Sequence, residues 1–162
     1  MTPGRFRITR SAAETEALAA ALAPSLAPGD LLALSGPLGA GKTRFVSGLA
    51  RGLACAARVR SPTYALVHEY PGRILLVHAD LYRVEGGDLD SLGLGDYAER
   101  AVVVVEWGER LPAAWQARAL RLDFEIGAGD QRRLRATADG ARGIELMAAW
   151  NALERRVSQE GA

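Results

Sequence analysis

Short, densely apolar runs alternate along this chain with stretches of helical spacing. Leu31 to Ser35 is an apolar run of the buried-strand type, and Ala101 to Glu106 contains four consecutive valines, which suits a strand covered on both faces. Tyr64 to Tyr70 alternates apolar and polar residues, Pro71-Gly72 turns the chain, and Ile74 to Ala79 is again apolar; together they predict a hairpin. A second period-two pair, Leu120 to Ile126 and Arg133 to Thr137, flanks the turn Gly127-Ala-Gly-Asp130. Ser11-Ala-Ala-Glu14 has the form of a capping box, and the Ala/Leu-rich stretch after it predicts an amphipathic helix up to Pro24, followed by a turn at Pro28-Gly29-Asp30. Further helices are expected from about Thr43 to Ala54 and from Gly143 to Val157, whose apolar face suits either the core or an interface. The acidic segment Glu85 to Tyr97, with spaced leucines, predicts one or two short surface helices. This order predicts an α/β fold: a P-loop NTPase-like three-layer sandwich with a mixed sheet, parallel core strands, antiparallel hairpins and helices on both faces.

Composition narrows the picture without changing it. The 162 residues suit one domain, 1–162, and 49% hydrophobic with 24% charged residues is the mix of a soluble globular protein. A formal net charge of +1 supplies no global field for nucleic acid, so contact with RNA would need a local patch or a partner. The single cysteine, Cys55, excludes an internal disulfide and a cysteine-rich zinc site, and it is expected to act as a small buried apolar residue. No run approaches the roughly 18 apolar residues of a membrane span, and Met1 to Arg10 lacks a signal-peptide core. A cytoplasmic location with no membrane contact is the resulting expectation.

The candidate chemistry begins at Gly36-Pro-Leu-Gly-Ala-Gly41-Lys42-Thr43. This segment fits G-x-x-x-x-G-K-[ST] and lies between a predicted strand and a predicted helix. Glycines let backbone N–H groups turn inward around phosphates, and the helix start adds unpaired N–H groups and the positive end of its dipole. Lys42 contributes a full charge, and the Thr43 hydroxyl can ligate a phosphate-bridging magnesium ion. Lys42 is also the only lysine in the chain; every other Lys/Arg position is arginine. Position 42 therefore calls for a compact ammonium that a planar guanidinium cannot imitate.

Such a site needs a carboxylate at the end of a buried strand to hold or orient hydrated magnesium. Asp80, ending Ile74 to Ala79, and Glu106, ending Ala101 to Val105, are the candidates, although either could be an ordinary acid where a strand emerges. Glu106 follows the more apolar strand and is favoured as the magnesium-side acid, leaving Asp80 to orient water. Ser61-Pro62-Thr63 is either a γ-phosphate sensor or a simple turn. Trp107 either covers the nucleotide or anchors the core. His78 is expected to be structural.

The guanine-reading Asn/Thr-Lys-x-Asp motif is impossible because the one lysine is already in the loop, so ATP is the expected nucleotide. Three classes then compete: an ATPase, a small-molecule P-loop kinase with Arg100 to Arg110 or Arg132-Arg133 as lid residues, and a nucleotide-gated binding module with negligible turnover.

Five motifs in order, Gly36-x-Leu-Gly-Ala-Gly-Lys-Thr43, Ser61-Pro-Thr-Tyr64-x-Leu-Val67, His78-x-Asp-Leu-Tyr-Arg83, Leu92-Gly-Leu94-x-Asp-Tyr97 and Val105-Glu-Trp107, closely resemble the bacterial TsaE family over about residues 8 to 140. The resemblance implies the ATPase component of tRNA N6-threonylcarbamoyladenosine biosynthesis. Such a component supports a transferase complex of TsaD and TsaB acting on adenosine 37 rather than transferring the group itself, and it meets tRNA only through that complex. Its ATPase is weak alone and stimulated by partners. It further implies ATP and Mg2+ as ligands, Lys42, Asp80 and Glu106 as catalytic residues, and Thr43 with Glu106 at the metal. The implied ATP contacts are Gly36, Leu38, Gly39, Ala40, Gly41, Lys42, Thr43, Arg44, Thr63, Trp107 and, from the late hairpin, Arg132. Two departures stand out: Pro37 replaces the usual Asp, and Ala79 replaces the usual Phe, leaving volume that could loosen the setting of Asp80.

Overall fold

The computed structural model describes residues 2–60, 66–84 and 92–160. Seven strands form one sheet: β1 (Thr2–Thr9), β2 (Leu31–Ser35), β3 (Val67–Tyr70), β4 (Leu75–Asp80), β5 (Ala101–Glu106), β6 (Leu120–Ile126) and β7 (Arg132–Ala138). Their order across the sheet is β1-β7-β6-β2-β5-β4-β3. The pairs β6/β2, β2/β5 and β5/β4 are parallel, whereas β1/β7, β7/β6 and β4/β3 are antiparallel. The expected parallel centre with antiparallel hairpins on its flanks is therefore present. The valine run is central as expected, and all six residues of β5 are buried.

Helices α1 (Ala12–Leu22), α2 (Lys42–Gly52) and α4 (Ala141–Glu160) cover one face of the sheet. Their core includes Phe45, Leu49, Val104, Leu122 and Trp150, with Phe45 and Phe124 meeting edge-on at 5.7 Å. Leu146, Met147, Trp150 and Leu153 all join this core, so this part of the apolar face of α4 packs on the sheet. The opposite face buries Ala33, Ala79, Val103 and Val105 beneath short 3-10 turns at Leu94–Tyr97 and Gly108–Arg110, with Trp115 of α3 (Ala113–Arg118) packed against them. Ala79, the residue before Asp80, is fully buried in that cluster.

Helix α1 starts on a cap close to the expected form. The Ser11 hydroxyl accepts from the Glu14 N–H at 3.1 Å, while the Glu14 carboxylate reaches back to the N–H of Arg10, one residue beyond the usual partner. Helices α1 and α2 pack directly against each other at Gly48, where a Cβ would lie 2.1 Å from the Glu16 carbonyl oxygen. Two elements differ from the predicted set. Strand β1 was not expected, because its pattern is inverted: Arg7 and Thr9 are buried while Ile8 is 50% exposed. Helix α3 escapes periodicity because it is six residues long and has no fully buried residue. Of the acidic segment Glu85 to Tyr97, residues 85–91 lie outside the described residues, and its end forms the turn at Leu94–Tyr97.

Candidate nucleotide site

Three parallel strands end at the same level. Register pairs Leu34 of β2 with Glu106 of β5, and Glu106 with Asp80 of β4. Ligands of open α/β sheets occupy the crevice beyond such carboxyl ends. Here the crevice begins with the loop between β2 and α2. Gly36 adopts φ +145°, and a Cβ on it would meet the Phe124 carbonyl oxygen at 2.6 Å, so only glycine lets the loop leave β2 against β6. Gly41, with φ +101°, turns the chain into α2, whose first N–H groups face the loop without intrahelical partners. Pro37, the departure in this loop, contributes its carbonyl oxygen, which accepts from the Ala40 N–H at 3.1 Å.

Lys42 folds back over the loop. Its ammonium donates to the Gly36 carbonyl oxygen and lies 4.0 Å from the centroid of the Trp107 ring. Burial lowers its pKa, against the opposing pull of the Glu106, Glu109 and Asp80 carboxylates. The Thr43 hydroxyl donates to Glu106, 3.0 Å from Oε1 and 3.1 Å from Oε2. Glu106 is buried, and its Oε2 also lies 2.6 Å from Nε2 of His78, a residue with no solvent exposure at all. Asp80 is half-buried and accepts from the Tyr82 N–H at 2.8 Å; burial raises its pKa, the Tyr82 N–H opposes that rise, and Glu106 adds to it.

Trp107 leaves β5 with φ +59°, a left-handed conformation uncommon outside glycine. That turn places its ring between Lys42 and Tyr82, whose ring centroid is 5.0 Å away. Arg110 stacks on the same indole at 5.6 Å and donates to the carbonyl oxygens of Leu81 and Tyr82, bracing the segment that follows Asp80. Trp107 thus lines the crevice and also packs against the buried cluster on that face of the sheet.

Leu38, Gly39, Ala40, Gly41, Lys42, Thr43, Arg44, Asp80, Glu106 and Trp107 all border one cleft of about 530 Å³. Arg132 lies on the other flank of the loop, where a guanidinium N–H donates to the Gly39 carbonyl oxygen at 3.3 Å across a smaller hollow of about 260 Å³ that also touches Thr15 and Arg44. Arg44 itself pairs with Glu16 at 3.1 Å. Ser61, Pro62 and Thr63 lie outside the described residues. Cys55 is only partly buried and donates its thiol to the Tyr70 carbonyl oxygen at 3.4 Å. The sequence reading treated His78 as structural and so missed its contact with Glu106. Its position on the β4 face shared with Asp80 was the available signal.

The donors facing the loop are oxygens of a hydroxyl and a carboxylate. This hard set suits magnesium, which takes one or two protein oxygens and fills its remaining positions with water and phosphate. Among the described residues no group of three or more His, Cys, Asp or Glu side chains converges to form a metal cage. Nor is any described helix long and apolar enough to cross a membrane.

A glycine loop between a central parallel strand and a helix, with a carboxylate ending the neighbouring strand, defines the P-loop class of α/β proteins. Within that class the chain belongs to the TsaE family: the family model described as threonylcarbamoyl adenosine biosynthesis protein TsaE matches residues 9–134. It is 38% identical over 131 residues to the tRNA threonylcarbamoyladenosine biosynthesis protein TsaE of Bacillus subtilis, covering 80% of this chain and 82% of that one. The protein of that name from Streptomyces coelicolor is 39% identical over 130 residues, covering 77% and 84%. A crystal structure of Bacillus subtilis YdiB superimposes with a TM-score of 0.76 at 32% identity, covering 94% of this chain and 97% of the other.

Proposed function

We propose that this chain is the ATP-binding and ATP-hydrolysing component of tRNA N6-threonylcarbamoyladenosine biosynthesis, acting in the cytoplasm as a single domain over residues 1–162. The observation that carries the nucleotide part is the meeting of Thr43 and Glu106 beside Lys42 at the start of α2. Family membership supports the pathway part.

In this reading the loop N–H groups and the start of α2 bind the phosphates, and the Lys42 ammonium moves from the Gly36 carbonyl to the terminal phosphate oxygens. Thr43 and Glu106 hold magnesium, which when bound neutralises phosphate charge. Asp80, at the end of the adjacent strand, orients water for attack, and Trp107 shields the phosphate end from solvent. Leu38 and Arg44 border the same cleft, Arg132 steadies the loop from its far side, and Thr63 belongs to the nucleotide-sensing segment. Turnover is weak alone and increases on binding TsaD and TsaB, which carry out transfer to tRNA.

The deciding experiment is depletion of the protein in its own host, with threonylcarbamoyladenosine in bulk tRNA measured by mass spectrometry. A marked fall is expected, restored by the wild-type chain and not by Lys42→Arg. An unchanged level, where no second ATPase of this type is present, would sink the assignment. A phosphorylated small product, rather than ADP and free phosphate, would indicate a kinase instead.

A further inference from the structure

Glu106 carries two tasks that pull against each other. Its carboxylate must stay ionised and correctly turned toward Thr43, yet it sits in a buried position at the end of a strand of valines, where an under-coordinated charge is costly. The thing that holds it is His78. On β4, His78 lies two residues before Asp80, and register places it beside Val104 of β5, two residues before Glu106. It therefore shares the α2-facing side of the sheet with both acids. The 2.6 Å separation of Nε2 from Glu106 Oε2 is that of a short charge-assisted hydrogen bond.

We infer that His78 is a positioning residue for the magnesium site: as a neutral imidazole carrying its proton on Nε2, it donates to Glu106 Oε2 and fixes the carboxylate so that Oε1 is presented to Thr43 and the metal. An ionised carboxylate only accepts, so the proton of this contact belongs to Nε2. Nδ1 is buried and without a hydrogen-bond partner among the described residues, a setting that suits a bare ring nitrogen and would leave an N–H there unsatisfied. Groups that orient a metal ligand set its affinity although they never touch the metal. Because β4 also carries Asp80, His78 ties the placement of both acids to one strand pairing.

The inference rests on the magnesium–nucleotide reading of the site, and its test separates the two. Binding of a fluorescent ATP analogue is titrated with magnesium in the wild-type chain and in His78→Leu, His78→Asn and His78→Gln, alongside binding without magnesium. The Leu and Asn variants are expected to need about tenfold more magnesium for half-maximal binding. Gln, whose amide N–H reaches the position of Nε2, is expected to return to within about threefold of wild type, with metal-free affinity unchanged throughout. A folded His78→Leu protein with wild-type magnesium dependence would overturn the inference, as would a Gln variant no better than Asn. Should these variants fail to fold, nitrogen-15 NMR of the wild-type imidazole decides: the Nε2–H tautomer is expected, and an Nδ1–H tautomer or an imidazolium overturns it. A wild-type chain that binds the analogue equally with and without magnesium would overturn the underlying reading itself.

Discussion

The Lys42 ammonium rests 4.0 Å from the centroid of the Trp107 ring and donates to the Gly36 carbonyl oxygen, so the one lysine of the chain is enclosed between a loop and an indole face. A guanidinium is broader and planar and cannot occupy that gap while also directing a single donor at a phosphate. Lys42→Arg should therefore weaken magnesium–ATP binding by more than about tenfold, roughly 1.4 kcal/mol. Its melting temperature should stay within a few degrees of wild type. Calorimetric titration and thermal melts check both halves.

The two acids should separate in kinetics. Glu106 meets Thr43, whereas Asp80 accepts from the Tyr82 backbone N–H. Glu106→Gln should raise the magnesium required for nucleotide binding. Asp80→Asn should leave that requirement within about threefold while cutting turnover by at least about a hundredfold, the scale of a lost general base. Equal effects of both variants on magnesium dependence would count against this division.

Asp30, just before β2, is almost wholly buried. Its carboxylate takes two hydrogen bonds from Arg142 at 2.7 and 2.8 Å and one from the Ala27 N–H at 2.8 Å. The Arg142 side chain is 41% exposed, which tempers its worth. Arg142→Ala should cost about 1–2 kcal/mol, mainly by leaving the Asp30 charge under-compensated. Arg142→Lys should recover less than half of that loss, because an ammonium cannot reproduce the forked contact. Urea unfolding provides the measurement.

Gly48→Ala sets two effects against each other. Alanine favours a helix by up to about 1 kcal/mol, but the added methyl would meet the Glu16 carbonyl oxygen at 2.1 Å and the Ala19 Cβ at 2.8 Å. Backbone cannot yield as a side chain can, so net destabilisation of about 2 kcal/mol is expected. Because α2 begins at Lys42, the same substitution should also weaken nucleotide binding, which titration would detect.

Burial raises the pKa of the Cys55 thiol. At a given pH the native thiol is therefore less ionised than a free one, and iodoacetamide should modify it more slowly in the folded chain than in urea. The linkage has a definite sign: the thiol's contribution to stability is present below its ordinary pKa and fades as pH rises through the native value. A native alkylation profile with its midpoint at or below that of free cysteine would contradict this.

Much of the fold could be read from the sequence because its central strands are dense and apolar and its loop chemistry is local. Leu31 to Ser35 and Ala101 to Glu106 match β2 and β5 end to end, and α2 begins one residue before the expected Thr43. Strand β1 was not legible because Arg7 and Thr9 point inward, reversing the pattern by which a strand is recognised. The site divides in the same manner. Lys42 and Thr43 follow from spacing alone, and Asp80 and Glu106 were legible as strand ends. For His78 the sequence offered only a shared β4 face with Asp80, because its contact with Glu106 exists only once β4 lies beside β5.

The first strand ties the two ends of the sequence together. Strand β1 pairs with β7, and the Trp150 indole N–H donates to the Arg5 carbonyl oxygen across most of the sequence. Arg132, at the start of β7, reaches the loop at Gly39. A chain emerging from the ribosome thus carries its phosphate loop, with β2 and α2 on either side, before β7 and α4 exist. The finished surroundings of the loop are assembled from both ends of the sequence.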